Sequence, residues 1–324
     1  MLDWIISDLR KAGIKDFVVV TKAQDRNKVP TGRVVVQEQP TGMAGAVLAA
    51  KNIIKGPMVI VNGDDLIDPQ ILKSFIAKVK ANPQKIVLTG IKRNLTGGYF
   101  SGLKIVEKPI TPPSPSFKIV LDYFPKIEKF VAVLGDDYEM GINKLKPEIL
   151  VKAEGYFCQL KYPWQMLDMT KLFLTKRRSV GIDKTAKLLS GAEEVNSYIG
   201  PKVILGQHVL VRDSIIEAGT VVGYHTEICR SYVGPNNNFH TNYVGDSVIE
   251  AESNLGSGAR LANMRFDKKA VLAGRPKLGA VMAKGSQLGI NACIMPGVTL
   301  GEKAIVASGL VVSRPVEAGE FKKS

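Results

Sequence analysis

Near the C-terminus the chain reads Leu288-Gly289-Ile290-Asn291-Ala292-Cys293-Ile294-Met295-Pro296-Gly297-Val298-Thr299-Leu300, with an apolar residue at every sixth position. The same period runs from Ile199 to Val211, and a companion series includes Ile215 and Val221. Neither an α-helix, whose period is 3.6 residues, nor an alternating strand, whose period is two, has this spacing. Six residues form one flat side of a triangular prism. About eighteen therefore form one coil of a parallel β-helix, with apolar residues inside and glycine at the corners.

Inside this repeat lies Phe239-His240-Thr241-Asn242-Tyr243-Val244-Gly245-Asp246, and Asn254 and Asn263 follow it. The chain has only three histidines. An imidazole among phenol and amide groups is a candidate general base, because the ring gains and loses a proton near neutral pH. The alternative is a surface histidine in a turn. We predict that His240 lies at the centre of the functional site.

The first half of the chain alternates helices and strands. Apolar spacing predicts helices at 1–14, 45–54 and 166–174, and short apolar runs predict strands at 17–20, 34–36, 58–61 and 86–88. This alternation is typical of an α/β domain with a parallel sheet covered by helices, in which ligands bind beyond the carboxyl ends of the strands. We place this domain at 1–180, ending after Lys176-Arg177-Arg178, and the β-helix domain at 181–324.

Two loops of the first domain follow predicted strands. The loop from Gln37 to Gly45 contains several glycines, and where it opens a helix its peptide N–H groups can approach a base or a phosphate. In the second loop, Asn62-Gly63-Asp64-Asp65, the carboxylates can hold Mg²⁺, which prefers oxygen ligands. The alternative for Asp64 and Asp65 is a helix N-cap and a turn.

Composition narrows the class of protein. The 324 residues carry a formal net charge of +14, but the basic residues are dispersed, so we expect attraction of phosphorylated substrates and no nucleic-acid partner. The three cysteines, Cys158, Cys229 and Cys293, are widely spaced and suit a reducing cytoplasm. No apolar run approaches the ~18 residues that cross a bilayer, so we predict no membrane partner.

Several motifs of the first domain resemble those of the sugar-phosphate nucleotidyltransferase family. They are Gln37, Gly42, Gly63-Asp64 and Glu107-Lys108-Pro109. The resemblance implies a Rossmann-like fold in which Gln37 and Gly42 contact the base of a nucleoside triphosphate and Asp64 ligates Mg²⁺. Glu107 and Lys108 would complete nucleotide binding on the sugar-phosphate side.

Two departures from that family bear on activity. The family's opening strand and the glycine-rich loop that grips the triphosphate have no counterpart, since Met1-Leu2-Asp3 corresponds to the start of the following helix. The family's second metal-binding aspartate falls near Gln159. We expect either that the true start lies upstream of Met1 or that this domain binds or supports without nucleotidyl transfer.

The two halves together resemble the bifunctional N-acetylglucosamine-1-phosphate uridylyltransferase/glucosamine-1-phosphate acetyltransferase family, in particular its archaeal-type members. The motifs that carry this resemblance are His240-x-x-Tyr243-Val244-Gly245-Asp246, Asn254-Leu255-Gly256-Ser257-Gly258, Asn263-Met264-Arg265-Phe266-Asp267 and Lys277-Leu278-Gly279-Ala280. It implies that the β-helix is left-handed and that the protein is a homotrimer.

This second resemblance also implies roles for single residues. His240 would take a proton from the amino group of glucosamine 1-phosphate as that group attacks acetyl-CoA. Arg212 would pair with the sugar phosphate, and acetyl-CoA would lie along Ile290 and Ser308. The other substrate-binding residues would be Tyr243, Asn254, Asn263 and Lys277. Where the family has a lysine this chain has Cys229, and because adjacent strand residues face opposite sides, Arg230 does not automatically replace it.

Three functions remain open. The first is acetyl-CoA-dependent N-acetylation of glucosamine 1-phosphate in the synthesis of UDP-N-acetylglucosamine. The second is uridylyl or thymidylyl transfer to a sugar 1-phosphate by the full-length protein. The third is a non-catalytic scaffold that binds sugar nucleotides, which Gln159 and Cys229 favour and the retained His240 and Tyr243 oppose.

Overall fold

The computed structural model describes residues 2–30, 32–39, 41–176 and 180–324. Two compact units make up the chain, residues 1–159 and residues 160–324. The helix Met166–Thr175 belongs to the second unit, although the sequence pattern assigned it to the first domain. Arg177 and Arg178, at the predicted boundary, and Pro40 of the glycine-rich loop lie outside the described residues.

The first unit alternates helices and strands. Its helical elements are α1 (Leu2–Lys11), a 3₁₀ helix (Ala23–Lys28), α2 (Gly42–Ala50), α3 (Pro69–Ala81), α4 (Ile127–Val133) and α5 (Tyr138–Lys144). Its strands are β1 (Val18–Thr21), β2 (Arg33–Val36), β3 (Met58–Val61), β4 (Asp65–Ile67), β5 (Val87–Lys92), β6 (Tyr99–Ser101), β7 (Lys104–Val106), β8 (Ser116–Phe124), β9 (Ile149–Ala153) and β10 (Phe157–Gln159). The predicted elements are present, and α2 begins three residues before its predicted start.

The largest sheet of this unit is built around β8. This strand runs antiparallel to β3, β5 and β6, whereas β5 and β9 are parallel. β7 pairs antiparallel with β6, β1 and β2 form a separate parallel pair, and β4 and β10 form a separate antiparallel pair. The sheet is therefore mixed, and the predicted parallel arrangement is wrong at β8, which runs opposite to β3, β5 and β6. Continuous apolar runs report burial on both faces, and they do not report strand direction.

Helices cover both faces of the large sheet, as predicted. Successive residues of β5 illustrate this, because their side chains point to opposite sides. Val87 belongs to a core cluster that includes residues of α1 and α3. Leu88 belongs to another cluster, with residues of α2, α4 and α5.

The second unit contains a 3₁₀ helix (Pro163–Gln165), α6 (Met166–Thr175) and the predicted parallel β-helix. Three parallel sheets form its faces within the described residues, and we name them A, B and C. Face A consists of Gly181–Ile182, Tyr198–Ile199, Ile215–Ile216, Tyr232–Val233, Val248–Ile249, Val281–Met282 and Thr299–Leu300. Face B consists of Lys187–Leu188, Ile204–Leu205, Val221–Val222, Asn238–Phe239, Asn254–Leu255, Gln287–Leu288, Ile305–Val306 and Phe321–Lys322. Face C consists of Glu193–Val195, Leu210–Arg212, Glu227–Cys229, Tyr243–Gly245, Arg260–Leu261, Cys293–Ile294 and Val311–Val312. These parallel sheets are consistent with the left-handed coil that the resemblance implied.

Coil length varies, which corrects the predicted eighteen residues. Residues paired between neighbouring coils are seventeen apart for Ile199 and Ile216, sixteen for Phe239 and Leu255, and eighteen for Leu288 and Val306. The differences arise at the corners, because the strands themselves keep in register.

The shorter coils move the inward-facing positions. Ile216 and Val222 are fully buried in the core of the prism. Val221, which the six-residue count placed in the apolar series, is 36% exposed, and the predicted companion series is wrong at this position. In a coil of seventeen residues, the next inward-facing residue comes one position earlier than an eighteen-residue coil would place it.

A loop interrupts the prism between the strands Arg260–Leu261 and Val281–Met282. Phe266 in this loop is 95% exposed, and Arg275 forms an ion pair with Asp168 of α6. In the part of the chain that the structure describes, we find no helix whose length and apolar character would let it cross a bilayer.

Candidate active site

Four of the predicted site residues line one groove along face B. The groove has a volume of about 540 Å³, and His240, Asn254, Ile290 and Ser308 are among its lining residues. The resemblance implied catalysis and sugar binding for the first two and acetyl-CoA binding for the other two. The fold brings both pairs to the same surface, because their strands stack in the same sheet.

Gln287 and Phe321 also line this groove, and the sequence reasoning missed them. Gln287 pairs in register with Asn254, so a polar residue follows a polar residue on the next coil. The equivalence of Asn254 and Gln287 can be recognised in the sequence only if the residues of the intervening loop are left out when the six-residue repeats are counted.

His240 lies at a corner where the neighbouring coils have glycine. A Cβ atom on Gly223 would lie 2.9 Å from the Cα of His240, so the preceding coil stacks directly on it. Continuing the pairing of Phe239 with Leu255 places His240 beside Gly256 on the following coil. Gly256 stacks on Gly289 in turn, since a Cβ there would lie 2.8 Å from the carbonyl carbon of Gly289. His240 is exposed, and it is the histidine that enters the groove lining.

The remaining predicted sugar-binding groups form a polar cluster on face C, across the corner from His240. The side-chain amide of Asn263 donates to the hydroxyl of Tyr243 at 3.3 Å and to Asp246 Oδ2 at 2.6 Å. Burial raises the pKa of Tyr243, and the nearby Cys229 thiol raises it further, so the phenol keeps its proton at neutral pH. Tyr243 and Asn263 therefore offer a phenol and an amide, neutral groups of the kind that bind sugar hydroxyls.

Each guanidinium of this cluster has a carboxylate partner. Arg212 Nη2 donates to Glu227 Oε1 at 2.9 Å, and this hydrogen bond is the main reason that the pKa of Arg212 is raised. Arg230 donates to both oxygens of Asp246, at 2.8 Å and 2.7 Å. The sequence reasoning singled out Arg212 and missed the two carboxylates, which lie fifteen and sixteen residues further along the chain and one coil away.

Cys229 adds no charge to the cluster. The thiol is buried, and its sulfur lies 3.9 Å from the hydroxyl oxygen of Tyr243. Burial raises the pKa of Cys229, so the group is neutral at physiological pH. The guanidinium of Arg230 is bound by Asp246, so it does not supply a free positive charge beside Cys229.

Lys277 is exposed at the end of the loop that interrupts the prism. The N–H of the next residue, Leu278, donates to the carbonyl of Asn263 at 2.9 Å, which brings this end of the loop beside the polar cluster.

The other two histidines, His208 and His225, lie at corners of the two preceding coils, with ring centroids 5.2 Å apart.

In the first unit, Gln37 and Gly42, the two residues predicted to contact the nucleotide base, lie close to each other. The side-chain amide of Gln37 donates to Thr41 Oγ1 at 3.3 Å and to the carbonyl of Gly42 at 3.5 Å. Gly42 has φ of +79° and begins α2. A Cβ atom on Gly45 would lie 2.6 Å from Gln37 Nε2 and closer still to Thr41 Oγ1, so a larger residue here would displace these two side chains.

Asp64 is exposed in the turn between β3 and β4, whereas Asp65 is buried and accepts a hydrogen bond from Asn62 at 3.1 Å. Gln159 pairs with Asp65 in the register of β10 and β4. No group of three or more His, Cys, Asp and Glu side chains converges within the described ranges. Mg²⁺ commonly binds through one or two carboxylates plus substrate phosphates. A single exposed carboxylate such as Asp64 agrees with this mode of binding, and its role as a magnesium ligand stays a prediction.

Glu107 and Lys108 are exposed, and Lys108 Nζ lies 3.7 Å from Glu107 Oε1. The backbone of Lys108 has a φ of +42°. Near them lies a buried ionic group that the sequence reasoning missed. The ammonium of Lys118 donates to both oxygens of Asp122, at 2.8 Å and 2.7 Å, and Tyr138 donates to the same carboxylate at 3.0 Å.

The chain is similar over most of its length to several curated bifunctional enzymes. It is 29% identical over 391 residues to the bifunctional sugar-1-phosphate nucleotidylyltransferase/acetyltransferase of Sulfurisphaera tokodaii, covering 100% of this chain and 92% of that protein. It is 30% identical over 339 residues to the bifunctional protein GlmU of Methanococcus maripaludis, covering 89% of this chain and 79% of that protein. The bifunctional protein GlmU of Methanocaldococcus jannaschii is 27% identical over 345 residues, covering 90% and 81%.

A solved structure of UDP-glucose pyrophosphorylase from Acinetobacter superposes with a TM-score of 0.46 at 15% identity, covering 56% of this chain and 84% of that one. No protein-family model matches the chain. The similarity to the curated proteins spans both the α/β unit and the β-helix. The chain therefore belongs to the family of bifunctional sugar-1-phosphate nucleotidylyltransferase/acetyltransferases that includes the GlmU proteins.

Proposed function

We propose that the protein transfers the acetyl group of acetyl-CoA to the amino group of glucosamine 1-phosphate, with His240 as the general base. The observation that carries this proposal is the shared groove, in which His240 and Asn254 lie with Ile290 and Ser308. A base and a thioester must meet at one surface, and residues with these separately implied roles meet there. The names of the curated relatives, which include an acetyltransferase, support the same reaction.

The reaction needs a proton acceptor beside the attacking amine. The amine nitrogen forms a bond to the acetyl carbon, His240 takes one of its protons, and the bond from the acetyl carbon to sulfur breaks. The sulfur leaves as the thiolate of CoA and recovers a proton. A positioned imidazole typically contributes 10²–10⁴-fold to such a step.

The face C cluster is the proposed binding site for the amino sugar. Tyr243 and Asn263 present a phenol and an amide, and Lys277 and Arg212 provide positive charge for the phosphate. Because Arg212 already binds Glu227, phosphate binding has to compete with an internal carboxylate. We propose that the site holds its phosphate more weakly than one with a free lysine at position 229.

The first unit supports a second activity, transfer of a nucleotidyl group to a sugar 1-phosphate. Gln37 in contact with Gly42 is the specific observation in its favour, because these residues would receive the base of the nucleoside triphosphate. Asp64 would hold Mg²⁺, which neutralises phosphate charge when bound, and Glu107 with Lys108 would lie on the sugar side. Both activities fit a cytoplasmic homotrimer, and the three free cysteines suit a reducing compartment.

Acetylation of glucosamine 1-phosphate, followed by release of free CoA, tests the leading proposal. We expect His240→Ala to lower kcat by about 100-fold or more. His225→Ala is the matched control, since it removes an exposed corner histidine one coil away that lies outside the groove lining. Absence of turnover by the wild-type protein, or equal turnover of the two variants, would refute the proposal.

A further inference from the structure

Two buried side chains hold both peptide groups of His240. The N–H of His240 donates to Asn242 Oδ1 at 2.7 Å, and the hydroxyl of Thr226 donates to the carbonyl oxygen of His240. Thr226 and Asn242 are 1% and 3% exposed. The N–H of Asn242 donates to Thr226 Oγ1 at 3.1 Å, so the two side chains are also linked to each other.

Asn242 extends this link to the next coil. Its amide nitrogen donates to the carbonyl of Gly256 at 2.9 Å and to that of Ala259 at 3.1 Å. Gly256 lines the groove. One asparagine therefore connects the backbone of His240 with the backbone of the next coil.

The corner between faces A and B offers a direct comparison. There Thr220 donates to the carbonyl of Gly234 at 3.0 Å, and the N–H of Asn237 donates to Thr220 Oγ1 at 3.2 Å. Asn237 is 1% exposed, and its amide nitrogen donates to Gly234 at 2.7 Å. Each corner therefore has one buried threonine and one buried asparagine in equivalent places. The corner residue that the threonine binds is Gly234 in one case and His240 in the other.

The corners differ by one residue in length. Asn237 follows Gly234 by three positions, whereas Asn242 follows His240 by two. In the shorter corner the asparagine oxygen accepts the N–H of His240, and in the longer one the corresponding oxygen accepts the N–H of Ser253 on the next coil. Both asparagines therefore hold the corner residue before them and also reach the next coil. In the shorter corner the side-chain oxygen makes the local bond, to the N–H of His240, whereas in the longer corner the amide nitrogen makes it, to the carbonyl of Gly234.

We infer that Asn242 and Thr226 are positioning residues for His240, which they orient through its peptide groups without lining the groove themselves. This inference rests on the proposed role of His240 as the base. Orientation matters because a general base has to stay within hydrogen-bond reach of the proton that it removes. Loss of either side chain frees the corner to change its backbone conformation and moves the imidazole away from the amine.

Steady-state acetyl transfer by Asn242→Ala and Asn237→Ala tests the inference. Both variants remove a buried corner asparagine from the same coil, so we expect similar decreases in Tm. We expect kcat to fall at least tenfold in Asn242→Ala, with the KM values of both substrates within twofold of wild type. Asn237→Ala should keep kcat within twofold. Equal kcat values for the two variants would overturn the inference.

A second pair guards against loss of folding. Thr226→Val and Thr220→Val each replace a hydroxyl by a methyl group of similar size, at matched positions of the two corners. We expect only Thr226→Val to lower kcat, by about threefold or more. If both or neither lower it, the hydroxyl of Thr226 has no positioning role.

Hydrogen–deuterium exchange separates this inference from the proposed function, because it needs no turnover. We expect the amide of His240 to exchange at least tenfold faster in Asn242→Ala than in wild type, and to be unchanged in Asn237→Ala. If exchange changes as expected but wild-type protein does not acetylate the amine, the proposed function fails and the corner geometry stands. If the wild type is active and the exchange of His240 is unaffected, the positioning inference fails.

Discussion

Arg230 and Asp246 form a two-point ion pair, with Nε to Oδ1 at 2.8 Å and Nη2 to Oδ2 at 2.7 Å. Such bidentate pairs are stronger than single hydrogen bonds and fix the plane of the guanidinium. Asp246 also accepts from Asn263, so its carboxylate stands between the basic residue and the proposed sugar site. Two hydrogen bonds to Asp246 hold Arg230, whereas a single one to Glu227 holds Arg212. We therefore propose Arg212 and Lys277 as the phosphate-binding cations.

Glu227→Gln should strengthen binding of a phosphorylated acceptor. The substitution removes the negative charge that faces Arg212 at 2.9 Å, and a partly exposed pair of this kind contributes about 0.2–1 kcal/mol. We expect the KM for glucosamine 1-phosphate to fall by about 1.5- to fivefold at low salt, and less at high salt. The KM for acetyl-CoA should not change. An unchanged or increased KM for the acceptor would show that Arg212 does not bind the phosphate.

The buried pair Lys118 and Asp122 should be sensitive to the loss of one partner. Both side chains are almost completely buried, and burial raises the pKa of Asp122 above its ordinary value despite the attraction of Lys118. Lys118→Met should lower the free energy of unfolding by about 3–5 kcal/mol, because it leaves a buried charge without its partner. Urea denaturation measures this loss.

Adding Asp122→Asn to Lys118→Met should recover most of that loss. The neutral amide keeps an acceptor for the hydroxyl of Tyr138 and no longer needs a counter-charge. In the single variant Asp122 remains ionisable with a raised folded pKa, so stability should be regained as the pH falls from the folded pKa toward the unfolded one. A loss of stability that is independent of pH would contradict this account.

The three cysteines should differ in reactivity toward N-ethylmaleimide in the native protein. Cys293 is half-buried, whereas Cys158 and Cys229 are buried. Burial raises the pKa of Cys229, so the reactive thiolate forms only at higher pH than in an exposed cysteine. Mass spectrometry should find Cys293 labelled first near pH 7, with labelling of Cys229 increasing under alkaline conditions. Labelling of Cys229 as fast as Cys293 near pH 7 would contradict the burial of this thiol.

Gly223→Ala should disturb the corner that carries His240. An added Cβ would lie 2.7 Å from the carbonyl oxygens of Phe239 and His240, which is too close for unstrained contact. Gly206→Ala is the matched control, because its Cβ would meet the backbone of Val222 and Tyr224 at 2.9 Å and 3.0 Å, one coil earlier. We expect both to destabilise the protein by about 1–3 kcal/mol. Only Gly223→Ala should reduce the kcat of acetyl transfer, and equal kcat values would mean that His240 does not depend on this stacking.

The six-residue period predicts the β-helix because one core position recurs on each successive face of the prism. Leu288, Ile294 and Leu300 show this directly, since they are buried in the same core. The period does not predict coil length, which depends on whether a corner uses one residue more or fewer. Val221 was placed inside for that reason, although the structure exposes it.

Residues of the candidate site could be predicted from the sequence where they belong to a short motif. Contacts between residues on neighbouring coils could not be predicted. His240 and Asn254 belong to short motifs and line the groove. Glu227 lies fifteen residues after Arg212, a separation that becomes a contact only when the coil length is known. The direction of β8 was equally hidden, because an antiparallel and a parallel strand bury the same apolar residues.

The short corner at 240–242 has a further consequence. The flanking pairs remain in register, Phe239 with Leu255 and Val244 with Leu261, although the coil has lost a residue between them. Deleting one residue from an α-helix would rotate every later side chain to another face. Here the effect of losing one residue is limited to a single corner of the coil. A β-helix can therefore acquire a new exposed group at any coil by local shortening. This makes its corners natural places for altering chemistry, by evolution or by design, while the core remains unchanged.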